Sequence, residues 1–320
     1  MKTKIVYVCA SSLDDYYFEQ TALSAYSLLL HQPDAHVVLV VDQHTREAIR
    51  GKRENLLMFF TDVKTVQVPE EYNQHQCSRY LKTTLREHIQ GDFLYIDSDT
   101  VVCEPLDAID DYPGELWATI DKHLPLAVHP RRKSTDYNLE KFYNYKRGQK
   151  DVNFFNGGLI FAKETEAVHK FYAEWHRLWK EGLSKGIGID QPSLLIANAH
   201  CGYPMQELEG IWNCQVMDNG LKYLFKAKII HYFASYKLGE GYLLKDSDIY
   251  KAMKLSGEIS EATKNMVVHA KECFADRVSI VSGKEADFLE TKIHTCYQFH
   301  PFIFNLVERI LVILFKLKSL

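Results

Sequence analysis

Hydrophobic and polar positions alternate in blocks along the first third of the chain. Short runs rich in β-branched residues, each closed by a polar break, are typical of buried strands, and apolar residues at helical spacing predict helices between them. The predicted strands are Ile5–Ala10, Val37–Val41, Val63–Val68 and Phe93–Val102, and the predicted helices are Tyr17–Leu30, Thr45–Leu57 and Arg79–Ile89, the last with Ser78 as N-cap. This alternation predicts an α/β fold with a mostly parallel, twisted central sheet.

The same pattern continues less regularly through the middle of the chain. Residues 122–150 are polar, aromatic and charged, which predicts an irregular insertion that serves as a binding loop or lid. The further predicted elements are the strands Leu116–Asp121, Leu159–Phe161 and Lys228–Phe233 and the helices Glu166–Trp179 and Ser193–Ala199.

Composition narrows the class of protein. The 320 residues, 46% of them hydrophobic and 25% charged, are typical of a soluble globular protein with a large core. A net charge of −4 and the lack of any recognition signature argue against a nucleic-acid partner. The seven cysteines form no Cys-x-x-Cys pair, and Met1–Ile5 leads into a strand without an apolar signal segment. These features predict reduced thiols and a cytoplasmic location.

The Asp97-Ser98-Asp99 step stands inside the Phe93–Val102 apolar run. If the backbone turns there, the two carboxylates form a hard anionic oxygen site at the sheet edge, suited to Mg²⁺ or Mn²⁺. The alternative is a solvated turn in which an aspartate caps the next element. Ligands of parallel sheets bind beyond the carboxyl ends of the strands. The loop from Ser11 to Asp15 should therefore lie at the same edge of the sheet as Asp97 and Asp99, which we call the rim.

Three further features each have a functional and a structural interpretation. Arg79, Lys82 and Arg86 lie near one helical face, which is either solvated or faces an anionic ligand at the rim. Asp190 is either an N-cap or a site residue. His231 ends a strand, and a lone histidine is more often structural than a ligand.

The C-terminal segment Pro301–Leu320 is apolar but interrupted by Glu308 and Arg309 and ended by Lys316 and Lys318. A membrane-spanning helix needs about 20 apolar residues, so an amphipathic helix lying on an anionic membrane surface fits better. The alternative is a helix that docks on the protein's own core or on a twin subunit.

Taken in order, Asp97-Ser98-Asp99, Asn156-Gly157-Gly158, Asp190-Gln191 and His231 with Lys237 resemble the motifs of the retaining glycosyltransferases of family 8. The resemblance covers roughly residues 4–240 and implies a GT-A fold, that is, a single α/β domain with a Rossmann-like nucleotide-binding half and a mixed sheet. It also implies a UDP-sugar donor and a Mn²⁺ cofactor, with Mg²⁺ as the alternative.

The resemblance further implies a role for each matching residue. Metal ligation would fall on Asp97, Asp99 and His231, and donor or nucleotide contacts on Ala10, Ser11, Asp14, Tyr16, Arg79, Asp97, Ser98, Asn156, Gly157 and Lys237, while Asp190 and Gln191 would lie near the anomeric centre as the catalytic pair. The late family signature is usually His-x-x-Gly-x-x-Lys-Pro-Trp, and here its Gly, Pro and Trp are missing after His231, so the local loop geometry differs.

The sequence therefore predicts a hexosyltransferase that moves a sugar from a UDP-sugar to a glycan or lipid-linked acceptor with retention, at the inner face of the membrane. Residues 1–240 would be the catalytic core, 241–300 an extension on the acceptor side and 301–320 a membrane-associating tail. No nucleophile is unambiguous, so attack from the leaving-group side is favoured over a carboxylate nucleophile. A non-catalytic nucleotide-sugar-binding or scaffold protein and a sugar-phosphate nucleotidyltransferase are the alternatives, and the oligomeric state stays open.

Overall fold

The structure is a computed structural model that describes residues 1–232, 241–274 and 288–318. Its described strands form a seven-stranded sheet and a three-stranded sheet. The strands are β1 (Lys4–Cys9), β2 (Val37–Asp42), β3 (Asp62–Val66), β4 (Phe93–Ile96), β5 (Thr100–Val102), β6 (Leu116–Ile120), β7 (Phe155–Ala162), β8 (Met205–Glu207), β9 (Cys214–Gln215) and β10 (Ile229–His231).

The large sheet has the order β3-β2-β1-β4-β7-β6-β8. Its first four strands are parallel, β7 is antiparallel to both β4 and β6, and β8 is parallel to β6. In the small sheet β10 lies between β5 and β9. The helices are α1 (Tyr17–His31), α2 (Gln43–Ala48), α3 (Gln74–Thr83), α4 (Leu85–His88), α5 (Arg132–Tyr143), α6 (Glu166–Ser184), α7 (Gln191–His200), α8 (Leu221–Leu224), α9 (Ser247–Ser256), α10 (Glu261–Val268), α11 (His294–Phe299) and α12 (Pro301–Lys318).

Two hydrophobic layers cover the faces of the large sheet, which explains why its central strands are apolar throughout. Along β1, Ile5 and Tyr7 point into one layer while Val6 and Val8 point into the other. Successive strand residues face opposite sides, so a strand buried on both faces has no polar positions to alternate. The predicted α/β fold class with a mixed sheet is confirmed.

Several predicted boundaries are wrong. The helix expected over Thr45–Leu57 is the short α2 followed by a 3₁₀ helix, Gly51–Phe59; the backbone leaves the helical conformation at Ile49, and the 3₁₀ helix begins at Gly51, which has a φ of +63°. Ser78 is not an N-cap, since α3 begins at Gln74 and its N-cap is Asn73, whose side chain forms a capping box with Gln76.

The insertion at residues 122–150 was predicted to be irregular, but it contains the helix α5. Thr135 and Leu139 of this helix are buried, and Leu139 belongs to the hydrophobic layer that α6 also covers. Arg147 pairs with Asp136 and closes the end of the insertion back on the helix. A packed helix of 12 residues therefore forms the middle of the segment that was predicted to be irregular.

The segment after residue 240 joins the core of the same domain. Tyr242, Leu244 and Tyr250 are buried in the layer that contains β1 and α1. Farther on, α12 is a helix whose apolar side chains, from Phe302 to Leu314, are exposed. Among the described residues, no helix combines the length and apolarity needed to cross a membrane.

Candidate active site

The Asp97-Ser98-Asp99 step forms the junction between the two sheets. β4 of the large sheet ends at Ile96, and the Asp97 N–H donates to the carbonyl of Gly158 on β7, at 2.8 Å. Thr100 opens β5 of the small sheet, and its hydroxyl donates to the Asp97 carbonyl at 2.8 Å. The chain therefore changes sheets within this step, and this turn is what lets both carboxylates face one point.

His231, at the end of β10, lies beside the two aspartates. Because β10 pairs antiparallel with β5 and places His231 opposite Thr100, the imidazole lies beside Asp99, with Nε2 3.1 Å from Oδ1. Burial alone lowers the pKa of a histidine, but the Asp99 carboxylate outweighs burial and raises the pKa of His231. His231 is therefore not isolated, because its imidazole lies against Asp99 in the folded chain.

The cluster has the chemistry of a divalent-cation site. Candidate ligand atoms from Asp97, Asp99 and His231 all lie within 4.8 Å of one another. His231 Nδ1 lies 3.0 Å from Asn213 Oδ1, so Nε2 is the nitrogen that faces the carboxylates. Two carboxylates and one oriented imidazole suit Mn²⁺ or Mg²⁺, and the residues present fit such an ion.

Lys82 of α3 lies in the site, although the sequence was also compatible with a solvent-exposed basic face on this helix. Its ammonium nitrogen lies 3.2 Å from Asp97 Oδ1 and 3.6 Å from Asp190 Oδ2, and the side chain is buried. Arg86 is buried too, against the Gly91 carbonyl. Of the two alternatives for this helix face, the solvated one is therefore wrong for Lys82 and Arg86.

Asp190 immediately precedes α7, and its carboxylate faces cations instead of the helix. Within the described chain its carboxylate makes no capping hydrogen bond, while Arg79 Nε lies 3.9 Å from Oδ1 and Lys82 faces Oδ2. Burial raises the pKa of a carboxyl, but Lys82 and Arg79 outweigh it and hold the pKa of Asp190 below its usual value. Gln191, half-buried, is the first residue of α7.

The first loop is organised by Asp15, which sequence reasoning did not select. Its carboxylate accepts hydrogen bonds from the hydroxyls of Ser11 and Ser12, at 2.6 and 2.7 Å, and from Gln74 Nε2 at 2.6 Å. These bonds outweigh burial and lower the pKa of Asp15. Ser11 is thus buried inside the loop, whereas Asp14 is exposed.

Other predicted residues line the same rim. The Ala10 carbonyl accepts from Gln74 at 2.8 Å, and the half-buried Tyr16 ring lies under the Lys254 ammonium group of α9, 5.2 Å from it. Ser98 accepts from the Thr21 hydroxyl at 2.8 Å. The structure thus connects the loop, the two-sheet junction and α9 at one end of the large sheet.

Asn156 and Gly157 lie on β7 beside the charged cluster. Asn156 is buried and donates to Asp121 Oδ1 at 2.8 Å, and a Cβ on Gly157 would lie 3.6 Å from Asp190 Oδ2. Lys237 lies outside the described residues. The structure therefore brings Asp97, Asp99, His231 and Asp190 together and adds Lys82 and Asn213, neither of which follows from the motif spacing.

The comparisons with known proteins support the fold. Neither the family models nor the curated proteins give a match. Among solved structures, the galactosyltransferase LgtC in complex with donor and acceptor sugar analogues is similar at 16% identity over 82% of this chain and 99% of that chain, with a TM-score of 0.52.

Two other solved glycosyltransferases are more distant in structure. Mouse xyloside xylosyltransferase 1 has 13% identity over 73% of this chain and 98% of that chain, with a TM-score of 0.49. The glycosyltransferase GlyE of Streptococcus pneumoniae has 16% identity over 88% of this chain and 67% of that chain, with a TM-score of 0.47. The predicted single-domain GT-A fold is confirmed by the likeness to LgtC.

Proposed function

We propose that the protein is a glycosyltransferase that moves a hexose from a UDP-sugar to a glycan or lipid-linked acceptor with retention of configuration, using Mn²⁺. The observation that carries the proposal is the convergence of Asp97, Asp99 and His231, which are separated in the chain but whose ligand atoms lie within 4.8 Å of one another.

Each group of residues has a chemical task in this proposal. Asp97, Asp99 and His231 would hold the cation, which when bound supplies Lewis-acid stabilisation to a departing diphosphate. The rim loop at Ser11 and the residues around it would hold the nucleotide. Lys82 adds a buried positive charge where negative charge develops on the leaving group.

The surroundings of Asp190 bear on how configuration would be retained. Each of its oxygens faces a cation, Arg79 or Lys82, at 3.9 or 3.6 Å. A carboxylate stabilised as an ion pair is a weaker nucleophile, because attack requires it to give up that stabilisation. Attack from the leaving-group side, with Asp190 and Gln191 orienting the sugar, is therefore the mechanism we favour.

The experiment measures UDP release from a panel of UDP-sugars without acceptor, with Mn²⁺ and after chelation. We expect release from one hexose donor only with the metal present, and loss of release in Asp99→Asn. The control is Asp34→Asn, because Asp34 is an exposed carboxylate distant in sequence from every motif. Full activity of Asp99→Asn would refute the metal role.

UDP binding and pyrophosphate release distinguish the two alternatives. A non-catalytic nucleotide-sugar-binding protein would bind UDP and show no turnover with any donor. A sugar-phosphate nucleotidyltransferase would release pyrophosphate from a nucleoside triphosphate and a sugar phosphate. The loop after β1, Ala10 to Asp15, has neither glycine nor a basic residue, which disfavours the second alternative.

A further inference from the structure

A line of hydrogen-bonded polar side chains leads from His129 to His231, one residue of the Asp97, Asp99 and His231 cluster. His129 Nε2 lies 3.0 Å from Asp121 Oδ2, and Asn156 Nδ2 donates to Asp121 Oδ1 at 2.8 Å. Asn213 Nδ2 donates to Asn156 Oδ1 at 3.0 Å, and Asn213 Oδ1 lies 3.0 Å from His231 Nδ1. All five side chains are at least nine-tenths buried, so water does not substitute for these bonds.

Asn156 fixes which groups donate and which accept along this line of hydrogen bonds. The N–H of Gly158, which can only donate, points at Asn156 Oδ1 at 2.9 Å. The Asp121 carboxylate, which can only accept, faces Asn156 Nδ2, and hydrogen bonds from His129 and Asn156 outweigh burial and keep the pKa of Asp121 low. The amide of Asn156 therefore has a single orientation that satisfies both neighbours.

That orientation determines the next two groups. Since Asn156 presents its oxygen, Asn213 must present its NH₂ to it and its own oxygen to His231. An oxygen facing Nδ1 requires a proton on Nδ1. A flipped Asn213 would place its NH₂ against Nδ1 and select the opposite tautomer.

We propose that Asp121, acting through Asn156 and Asn213, keeps the proton of His231 on Nδ1, so that Nε2 is the nitrogen available to a cation held by Asp97 and Asp99. Asp121, Asn156 and Asn213 are then positioning residues, and only Asn213 touches the imidazole. The inference rests on the proposed function for its cation, but the tautomer exists without metal and is measured without it.

The test is ¹⁵N NMR of the metal-free, full-length protein labelled at histidine, with the His231 signals assigned by comparison with His231→Gln. Spectra are taken above the pH at which this ring titrates, as determined from the same signals. Asp99 Oδ1, 3.1 Å from Nε2, competes with Asn213 for the ring proton. We expect the proton of the wild-type protein to lie on Nδ1 nonetheless, with Nε2 unprotonated, and a proton on Nε2 in the wild type would overturn the proposal. In Asn156→Leu, which frees Asn213 to rotate, we expect the Nε2–H tautomer to become populated.

A second substitution tests whether the effect passes through Asn213. Asp at position 213 has only acceptor oxygens, so the double variant Asn156→Leu with Asn213→Asp should restore the proton to Nδ1. If Asn156→Leu does not fold, Asn213→Leu removes the same acceptor directly and should give the same tautomer change. An unchanged His231 spectrum in the folded variants, or no restoration in the double variant, would overturn the proposal.

Mn²⁺ affinity gives the functional readout. We expect Asn156→Leu to bind Mn²⁺ about 10- to 100-fold more weakly, as is typical when a ligand loses its orienting partner, and the double variant to recover. If the wild-type protein binds no Mn²⁺, the proposed function fails. The comparison of His231 tautomers still tests whether Asp121 acts through Asn156 and Asn213. Loss of Mn²⁺ affinity with an unchanged tautomer would overturn that role.

Discussion

The ammonium nitrogen of Lys82 lies 3.2 Å from the Asp97 carboxylate, one of the three groups of the cation cluster. The same nitrogen faces Asp190 at 3.6 Å and lies over the Tyr95 ring, 5.1 Å from its centroid. Lys82 therefore holds two carboxylates that would otherwise repel each other, and it competes with any cation for Asp97. Replacing Lys82 should therefore change cation affinity and turnover in opposite directions.

For Lys82→Met we expect Mn²⁺ to bind about tenfold more tightly, since a competitor worth about 1.4 kcal/mol is removed. UDP-sugar turnover should fall about 10²-fold, because a buried positive charge near the leaving group is lost. Manganese titration followed by electron paramagnetic resonance and a UDP-release assay measure the two quantities. Lys180→Met, at an exposed position on α6, is the control. A parallel loss of both properties would contradict the competition.

Gly158→Ala should destroy the cation cluster by overpacking. A Cβ at this position would lie 2.5 Å from His231 Cε1 and 2.7 Å from Asp97 Oδ2, so the ring or the carboxylate must move. We expect Mn²⁺ affinity to fall by more than tenfold. Gly157→Ala is a matched control, because its Cβ would make ordinary contacts of 3.6 and 3.8 Å, and its Mn²⁺ affinity should stay within about twofold. Equal affinities in the two variants would exclude the steric explanation.

The first loop depends on a buried ion pair for its stability. Arg53 Nε donates to Glu19 at 2.7 Å, and its other nitrogens reach the Ser12 carbonyl and the Ser11 hydroxyl. Arg53→Met leaves Glu19 buried and unpaired, so we expect a loss of about 3–5 kcal/mol in the free energy of unfolding, measured with urea.

The matched control for Arg53 is an exposed ion pair. The Arg177 side chain is 55% exposed in its pair with Glu174, so Arg177→Met should cost no more than about 1 kcal/mol. The double variant Arg53→Met with Glu19→Gln should recover part of the loss, since the uncompensated charge is then removed. A loss in the double variant as large as in Arg53→Met would argue that packing dominates.

Stability should fall at acid pH because His123 is buried in its neutral form. Burial, with a smaller effect of Lys222, lowers the pKa of His123 to about 3, and its Nε2 accepts the N–H of Gln215. Between pH 6.5 and 3 the unfolded chain therefore binds a proton that the folded chain does not. This single group should reduce the free energy of unfolding by about 1.4 kcal/mol per pH unit as the pH falls through that window.

The measurement is urea unfolding from pH 7 to pH 4. His123→Asn keeps an acceptor and suits the positive φ of this position, so its stability should depend less steeply on pH than that of the wild type. His44→Asn, at an exposed position, should follow the wild-type curve. Parallel curves for all three proteins would show that His123 does not carry the acid loss.

The C-terminal helix α12 should bind anionic membrane surfaces. Its apolar residues include Phe302 at 81% exposure and Leu311 at 57%, so the helix does not bury this face against the described core. The full chain should sediment with anionic vesicles and much less with neutral ones, and removal of residues 301–320 should leave it in the supernatant. Sedimentation of the truncated protein would refute this role, and a change of oligomeric state on truncation would favour docking on a twin subunit.

The sequence pattern was sufficient to predict that residues at strand ends meet at one edge of the sheet. Asp97, Asp99 and His231 each terminate or follow an apolar run, and the rule that ligands bind beyond strand ends brings them to one rim. The α/β class depends on local periodicity, which a single sequence contains. The strand pattern itself predicts a mostly parallel sheet, and the mixed sheet was implied by the family resemblance.

What the sequence could not supply depends on tertiary partners. Lys82 reads as a surface cation until Asp97 and Asp190 are known to surround it, and Asn213 has no motif around it. Asp15 and Asp14 are neighbours, and only the packing of Gln74 against the loop distinguishes them. The cap of α3 was misplaced because Ser78 and Asn73 have similar capping propensity, and the choice follows from where the helix packs.

The change of sheets at Asp97-Ser98-Asp99 has a consequence for how the protein is made. His231 follows Asp99 by 132 residues, and it meets the aspartates only when β10 pairs with β5. A nascent chain on the ribosome thus displays the two carboxylates long before the imidazole exists. Capture of a cation by all three groups would therefore be coupled to closure of the small sheet, and an ion held there would stabilise the finished domain and not its precursors.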